Sequence, residues 1–67
     1  MKRDLTSEDL RICAWVTEGK QNKQIANHLG VSEDVVTQRL KMIMRHIDAS
    51  NRAMVAAWYV RRTEVRQ

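Results

Sequence analysis

The chain holds two glycines and no proline. Its backbone therefore has only two positions where a left-handed residue comes without steric cost, and none where φ is locked. Both glycines stand where a helical apolar pattern stops: Gly19 after Ile12, Cys13 and Val16, Gly30 after Ile25, Ala26 and Leu29. Each reads as a helix C-terminal cap, and a chain punctuated in this way is predicted to be all-α. Start signals complete the frame. Thr6, with Asp9 three residues on, makes a short capping box flanked by the staple pair Leu5 and Leu10, and opens helix 1 over about Ser7 to Glu18. Trp15 points to the side of that helix and is expected to be half buried. Asn22, Lys23 and Gln24 begin a two-turn helix 2. Ser32 caps helix 3, with Val31 and Val36 as its staple, and Val36, Leu40, Ile43 and Ile47 recur at i, i+4, i+7 and i+11, which turns that stripe inward. After the polar break Asp48-Ala49-Ser50-Asn51, helix 4 is capped by Ser50 or Asn51 and runs to about Arg62. The expectation is one four-helix domain over residues 5–62 and a frayed tail over 63–67.

Size and composition exclude several function classes. A chain of 67 residues withdraws only about 60% of its unfolded surface from water on folding, which leaves little room for a sizeable enzymatic cleft. Neither a nucleophile–base pair nor a glycine-rich phosphate loop is present in the sequence, so an enzyme is not expected. Cys13 is the single cysteine; it cannot form an intramolecular disulfide and reads as a small core residue. Cys13, His28 and His46 lack the paired short spacings of structural zinc, so neither metal nor cofactor is expected, and the two histidines read as surface residues. No apolar run approaches the roughly 20 residues of a membrane span, and Met1-Lys2-Arg3 leads into Asp4 without a signal-type apolar stretch, which points to a cytoplasmic protein.

The net charge is +4, unevenly spread. Residues 20–47 carry five Lys/Arg against two Asp/Glu, and residues 48–67 four against two, whereas residues 1–19 carry three against four. A basic middle and end attract polyanions, of which nucleic acid is the most abundant. A short helix, a glycine turn and a second helix with a polar outer face form a helix-turn-helix, whose second helix enters the major groove of double-stranded DNA. The outer face of helix 3 presents Asp34, Thr37, Gln38, Lys41 and Arg45. Gln38 suits adenine and Lys41 guanine; Thr37 suits a thymine methyl or a phosphate oxygen. Lys23, Asn22 and Gln24 lie at the amino end of helix 2, which favours phosphate, although capping explains Asn22 equally well. Arg39 and Arg45 suit the DNA backbone, with a surface pair to Glu33 or Asp48 as the alternative for Arg45. Helix 4 is apolar at every position from Ala53 to Val60. Only one side of it can face the core, so the other needs a partner. Met54, Trp58 and Arg61, with Arg62 as the alternative to Arg61, lie one turn apart and form a candidate two-fold seam of a homodimer, unless Trp58 fills the domain's own core.

These pieces resemble the LuxR/FixJ/GerE class of bacterial transcription regulators from Leu5 to about Val60. The resemblance is carried by Leu5-Thr6 with Asp9; by Gly19 followed by Asn22-Lys23-Gln24-Ile25-Ala26, where the family favours Asn-Lys-Glu-Ile-Ala; by Leu29-Gly30-Val31-Ser32; by the stripe Val36, Leu40, Ile43, Ile47; and by Asn51-Arg52. It implies a four-helix DNA-binding domain with helix 3 as reader and helix 4 as dimerisation element, and an arginine at Arg52 that braces helix 4, with a DNA contact as the alternative for Arg52. The chain also departs from the family. Val35-Val36-Thr37 stands where Thr-Val-Lys is common, and Arg39 and Met42 stand where His and Asn are usual, so the family's lysine contact falls on the uncharged Thr37. Two further readings follow: a stand-alone module that heterodimerises with a LuxR-type regulator, and a promoter-binding domain like sigma-factor region 4, a partner of RNA polymerase, whose Ser-x-x-x-Val-x-x-Arg-Leu pattern matches Ser32 to Leu40 but leaves Asn51-Arg52 unexplained.

Overall fold

A computed structural model of the chain describes residues 5–65. Four helices follow one another: α1 (Ser7–Thr17), α2 (Asn22–Leu29), α3 (Glu33–Ile47) and α4 (Arg52–Val65). There is no strand among the described residues, and none of their helices is long and apolar enough to cross a membrane.

Local chemistry accounts for most of the helix ends. At the start of α1 the Asp9 N–H donates to Thr6 Oγ1 at 3.0 Å while the Thr6 N–H donates to Asp9 Oδ2 at 3.1 Å, the reciprocal box expected from the sequence. The helix closes with Gly19 at φ +85°, where the Gly19 N–H donates to the Val16 carbonyl and the Lys20 N–H to the Trp15 carbonyl, both at 3.0 Å. Gly30, at φ +71°, ends α2. The α2 cap is Gln21, with Asn22 the first residue inside the helix, so capping does not account for Asn22. Ser32 Oγ accepts from the Val35 N–H at 3.3 Å and opens α3. The far end of α3 is left-handed without a glycine: Asp48 sits at φ +61° and the Ala49 N–H donates back to the Met44 carbonyl at 2.8 Å. Aspartate is among the few side chains that tolerate this region, because its short polar group can bond locally. Asn51, rather than Ser50, caps α4, its Oδ1 accepting from the Met54 N–H at 3.0 Å. That helix runs three residues past Arg62, with Thr63 Oγ1 donating to the Val60 carbonyl at 2.9 Å. Its apolar pattern ends earlier than its backbone hydrogen bonds, since propagating a helix requires no apolar side chain. Residues 66 and 67 of the expected frayed tail lie outside the described residues.

One core joins all four helices. Ile12, Cys13 and Val16 of α1, Ile25 and Ala26 of α2, Val36, Leu40 and Ile43 of α3, and Val55 of α4 are buried together. α4 packs chiefly on α1, and α2 on α3. Leu29 and Ile47, expected inside, are half buried at the rim of this cluster.

Cys13 is fully enclosed, and its thiol is pushed up from 9.0 to about 11, first by burial and then by the carboxylate of Asp9. The fold thus favours the protonated thiol. Its contribution to stability is complete below the unfolded pKa near 9 and is lost as pH rises through the window to about 11. Urea midpoints measured from pH 8 to 11 are expected to fall more steeply for the native chain than for Cys13→Ala; equal slopes would place that alkaline loss on other groups.

Candidate nucleic-acid interface

The orientation of α3 follows from its buried stripe. Val36, Leu40 and Ile43 are 0%, 4% and 1% exposed. Because successive residues advance about 100° around a helix, Gln38, Lys41 and Arg45 fall on the opposite side, and all three are exposed. Asp34 shares their stripe one turn earlier. The first turn of α3 carries Glu33 and Asp34 and the last turn Arg45 and His46, which suits the helix dipole at both ends. The positive part of the open face therefore begins at Lys41. Among the described residues Arg45 forms no ion pair, neither with Glu33 nor with Asp48.

Thr37 lies on the flank turned toward α2 and is half buried. Its hydroxyl donates to the Glu33 carbonyl at 3.1 Å and accepts from Asn22 Nδ2 at 3.2 Å. Asn22 Oδ1 in turn accepts from Arg52 Nη1 at 2.8 Å, and Arg52 Nη2 donates to the Lys20 carbonyl at 2.8 Å. Thr37 and Asn22, both singled out from the sequence as DNA contacts, thus have their polar atoms engaged in a chain of hydrogen bonds joining α2, α3 and α4. Arg52 braces α4 as the family resemblance implies. Nothing local in the sequence announces this chain, since Asn22 is 15 residues from Thr37 and 30 from Arg52.

Arg39 lies on the other flank. Its guanidinium pairs with Glu8 and approaches Asp9 Oδ1 at 3.7 Å, tying α3 to α1. With Leu5, Met42 and His46 it lines a groove between these helices. The sequence assigned Arg39 to the DNA backbone, yet its charge is directed at α1 carboxylates rather than along the stripe of Gln38 and Lys41. Lys23 is exposed on the first turn of α2, whereas Gln24 beside it accepts the Gln21 N–H at 2.9 Å. Of the two histidines, His28 is exposed and stacks on Trp15 with ring centroids 5.0 Å apart. His46 is half buried rather than a surface residue.

On α4, Val55 is fully buried and Ala56, Trp58 and Tyr59 lean on the core. Ala53, Met54, Ala57, Val60 and Arg61 form the opposite, exposed face. Met54 and Arg61 of the proposed seam are therefore open, while Trp58 stands at its edge, with the Arg62 guanidinium 5.6 Å from its ring centroid. The sequence did not mark Ala57 and Val60 as part of this open face, because an uninterrupted apolar run carries no phase.

The family described as bacterial regulatory proteins, luxR family, matches residues 3–59 of the chain. No curated protein and no solved structure was found to match it.

The Arg39–Glu8 pair is partly exposed on both sides, so a double-mutant cycle with Arg39→Ala and Glu8→Ala is expected to give a coupling of about 0.5 kcal/mol that shrinks in 1 M salt. Zero coupling at low salt would mean that the pair does not hold α3 to α1.

Proposed function

Because the chain belongs to the LuxR family of bacterial regulatory proteins, whose helix-turn-helix domain is a DNA-binding, regulatory one, we propose that it is a sequence-specific transcription regulator that lays α3 in the major groove and dimerises through α4. One observation supports the choice of α3 above the rest: Gln38, Lys41 and Arg45 stand exposed in a single stripe directly behind a fully buried aliphatic one. The groove is about 12 Å wide and admits one helix, so the side entering it must carry hydrogen-bond groups. Gln38 pairs with adenine and Lys41 donates to guanine, while Arg45, and Lys23 at the start of α2, reach phosphates.

The exposed face of α4 supplies the two-fold contact. It is apolar across Ala53, Met54, Ala57 and Val60, with Met54 at 44% and Val60 at 38% exposure, and Arg61 stands beside them. A dimer built on it would present two copies of α3 to half-sites about 34 Å apart. A second reading rests on Thr37, which offers no cation where the family commonly has lysine: a module that pairs through α4 with a full-length relative and withholds it from DNA. A random-sequence selection separates the two, because a regulator recovers a two-fold motif and a pairing module recovers none.

Two variants test the assignment of roles. Lys41→Ala is expected to weaken binding to the selected site about 5- to 100-fold, and to weaken binding to unrelated duplex much less; an equal loss on every sequence would make Lys41 a phosphate contact. Ala57→Glu, at the centre of the open α4 face, is expected to sediment as a monomer with unchanged helicity. A dimer that persists in Ala57→Glu would move the interface off α4.

A further inference from the structure

We propose that Asn22 is a positioning residue: its amide sets the reader helix α3 against α2 and ties both to the first turn of α4, and it acts in this way rather than by touching DNA. The inference rests on the reading role proposed for α3. Every hydrogen bond in the chain from Arg52 to Glu33 has a forced direction. A guanidinium only donates, so the Asn22 atom facing Arg52 is the carbonyl oxygen, at 2.8 Å. That leaves Nδ2 as the donor toward Thr37, at 3.2 Å. The hydroxyl of Thr37 has one proton, which goes to the Glu33 carbonyl at 3.1 Å, so toward Asn22 it accepts. Replacing Asn22 removes one partner from Arg52 and one from Thr37 at once, leaving them only the Lys20 and Glu33 carbonyls, and replacing the Thr37 hydroxyl strands Asn22 Nδ2, so the contacts through the amide are coupled rather than separate.

The location of this unit gives it consequence. Glu33 and Thr37 bracket the first turn of α3, directly before Gln38 and Lys41; Asn22 opens α2 and Arg52 opens α4. Three helix starts therefore meet at one amide. Base-edge hydrogen bonds tolerate little displacement, so the angle at which α3 leaves this junction governs which bases Gln38 and Lys41 can reach. Thr37 completes the junction, because the lysine common in the family at this position has no acceptor atom to offer Asn22.

The test compares Asn22→Ala, Thr37→Val and Thr37→Ser with the native chain by random-sequence selection, by duplex binding across a salt series and by amide hydrogen exchange. Asn22→Ala and Thr37→Val are expected to shrink the affinity ratio between the selected site and single-mismatch sites about 3- to 30-fold, to leave the salt slope unchanged, and to speed exchange in the first turns of both α3 and α4. Thr37→Ser keeps the hydroxyl and is expected to restore the native ratio. A salt slope reduced by about one unit with an unchanged ratio overturns the inference, because Asn22 and Thr37 would then be phosphate contacts. Faster exchange confined to α2 also overturns it, with or without DNA. A native chain that selects no site, but in which both substitutions loosen α3 and α4 together, would defeat the proposed function and leave the positioning tie standing.

Discussion

Burial of Val36, Leu40 and Ile43 fixes the rotation of α3, and the proposed interface depends on that rotation. The three share one cluster with Ile12, Ile25 and Val55, and none is more than 4% exposed. Burying a side chain of this kind contributes about 1.5–3 kcal/mol. Turning α3 by a single residue step would expose the stripe and cost an amount comparable with the whole stability of a small domain, about 5–15 kcal/mol. The outward rotation of Gln38, Lys41 and Arg45 is thus an energetic consequence of the aliphatic side, and the proposed Asn22 tie bears on the angle of α3 against α2 rather than on which face is turned out. This also explains how the open face can vary in chemistry while α3 keeps its place.

Features governed by neighbouring residues were legible in the sequence. The Thr6–Asp9 box, the glycine ends of α1 and α2, the Ser32 cap and the inward stripe of α3 all depend on side chains within one or two turns of each other, so spacing alone reveals them. The left-handed end of α3 was hidden because Asp48 does what a glycine usually does. Val55 was hidden for the opposite reason: where eight consecutive residues are apolar, no periodicity marks the one that points inward. On the candidate site, the exposure of Gln38, Lys41 and Arg45 follows from period, whereas the engagement of Thr37 with Asn22 and of Arg39 with Glu8 are tertiary pairings between separate helices. A sequence in isolation shows that such residues are polar and lie on a flank; it does not show which atom of another helix meets them.

The same pairings redistribute the charge that composition reports. Arg39 belongs to the basic middle of the chain, but its guanidinium faces Glu8 and Asp9 on α1, so it adds little to the field in front of α3. At the head of α3, Glu33 and Asp34 complement the helix dipole and oppose the approach of phosphates. Attraction for a polyanion is therefore concentrated on the later turns, at Lys41 and Arg45, and on Lys23 across the turn. In the proposed complex, long-range attraction would come from Lys41, Arg45 and Lys23 and base reading from Gln38 and Lys41, and the attraction would weaken steeply with salt.

The start of α4 joins these roles mechanically. Val55, Ala56, Trp58 and Tyr59 hold the helix to the core along one side, and the face bearing Ala53, Met54, Ala57 and Val60 is left open. The segment from Asp48 to Asn51 is short and is closed at both ends, by the Ala49–Met44 bond and by the Asn51 cap. Arg52 adds a second route between α4 and α3, through Asn22 to Thr37. A copy of the chain seated on the open face of α4 would thus be joined to its own α3 by a core and by two short hydrogen-bonded paths, with no flexible linker between. In such a dimer the separation of the two reading helices is set by packing, so sites with the wrong spacing are rejected by geometry before any base is read.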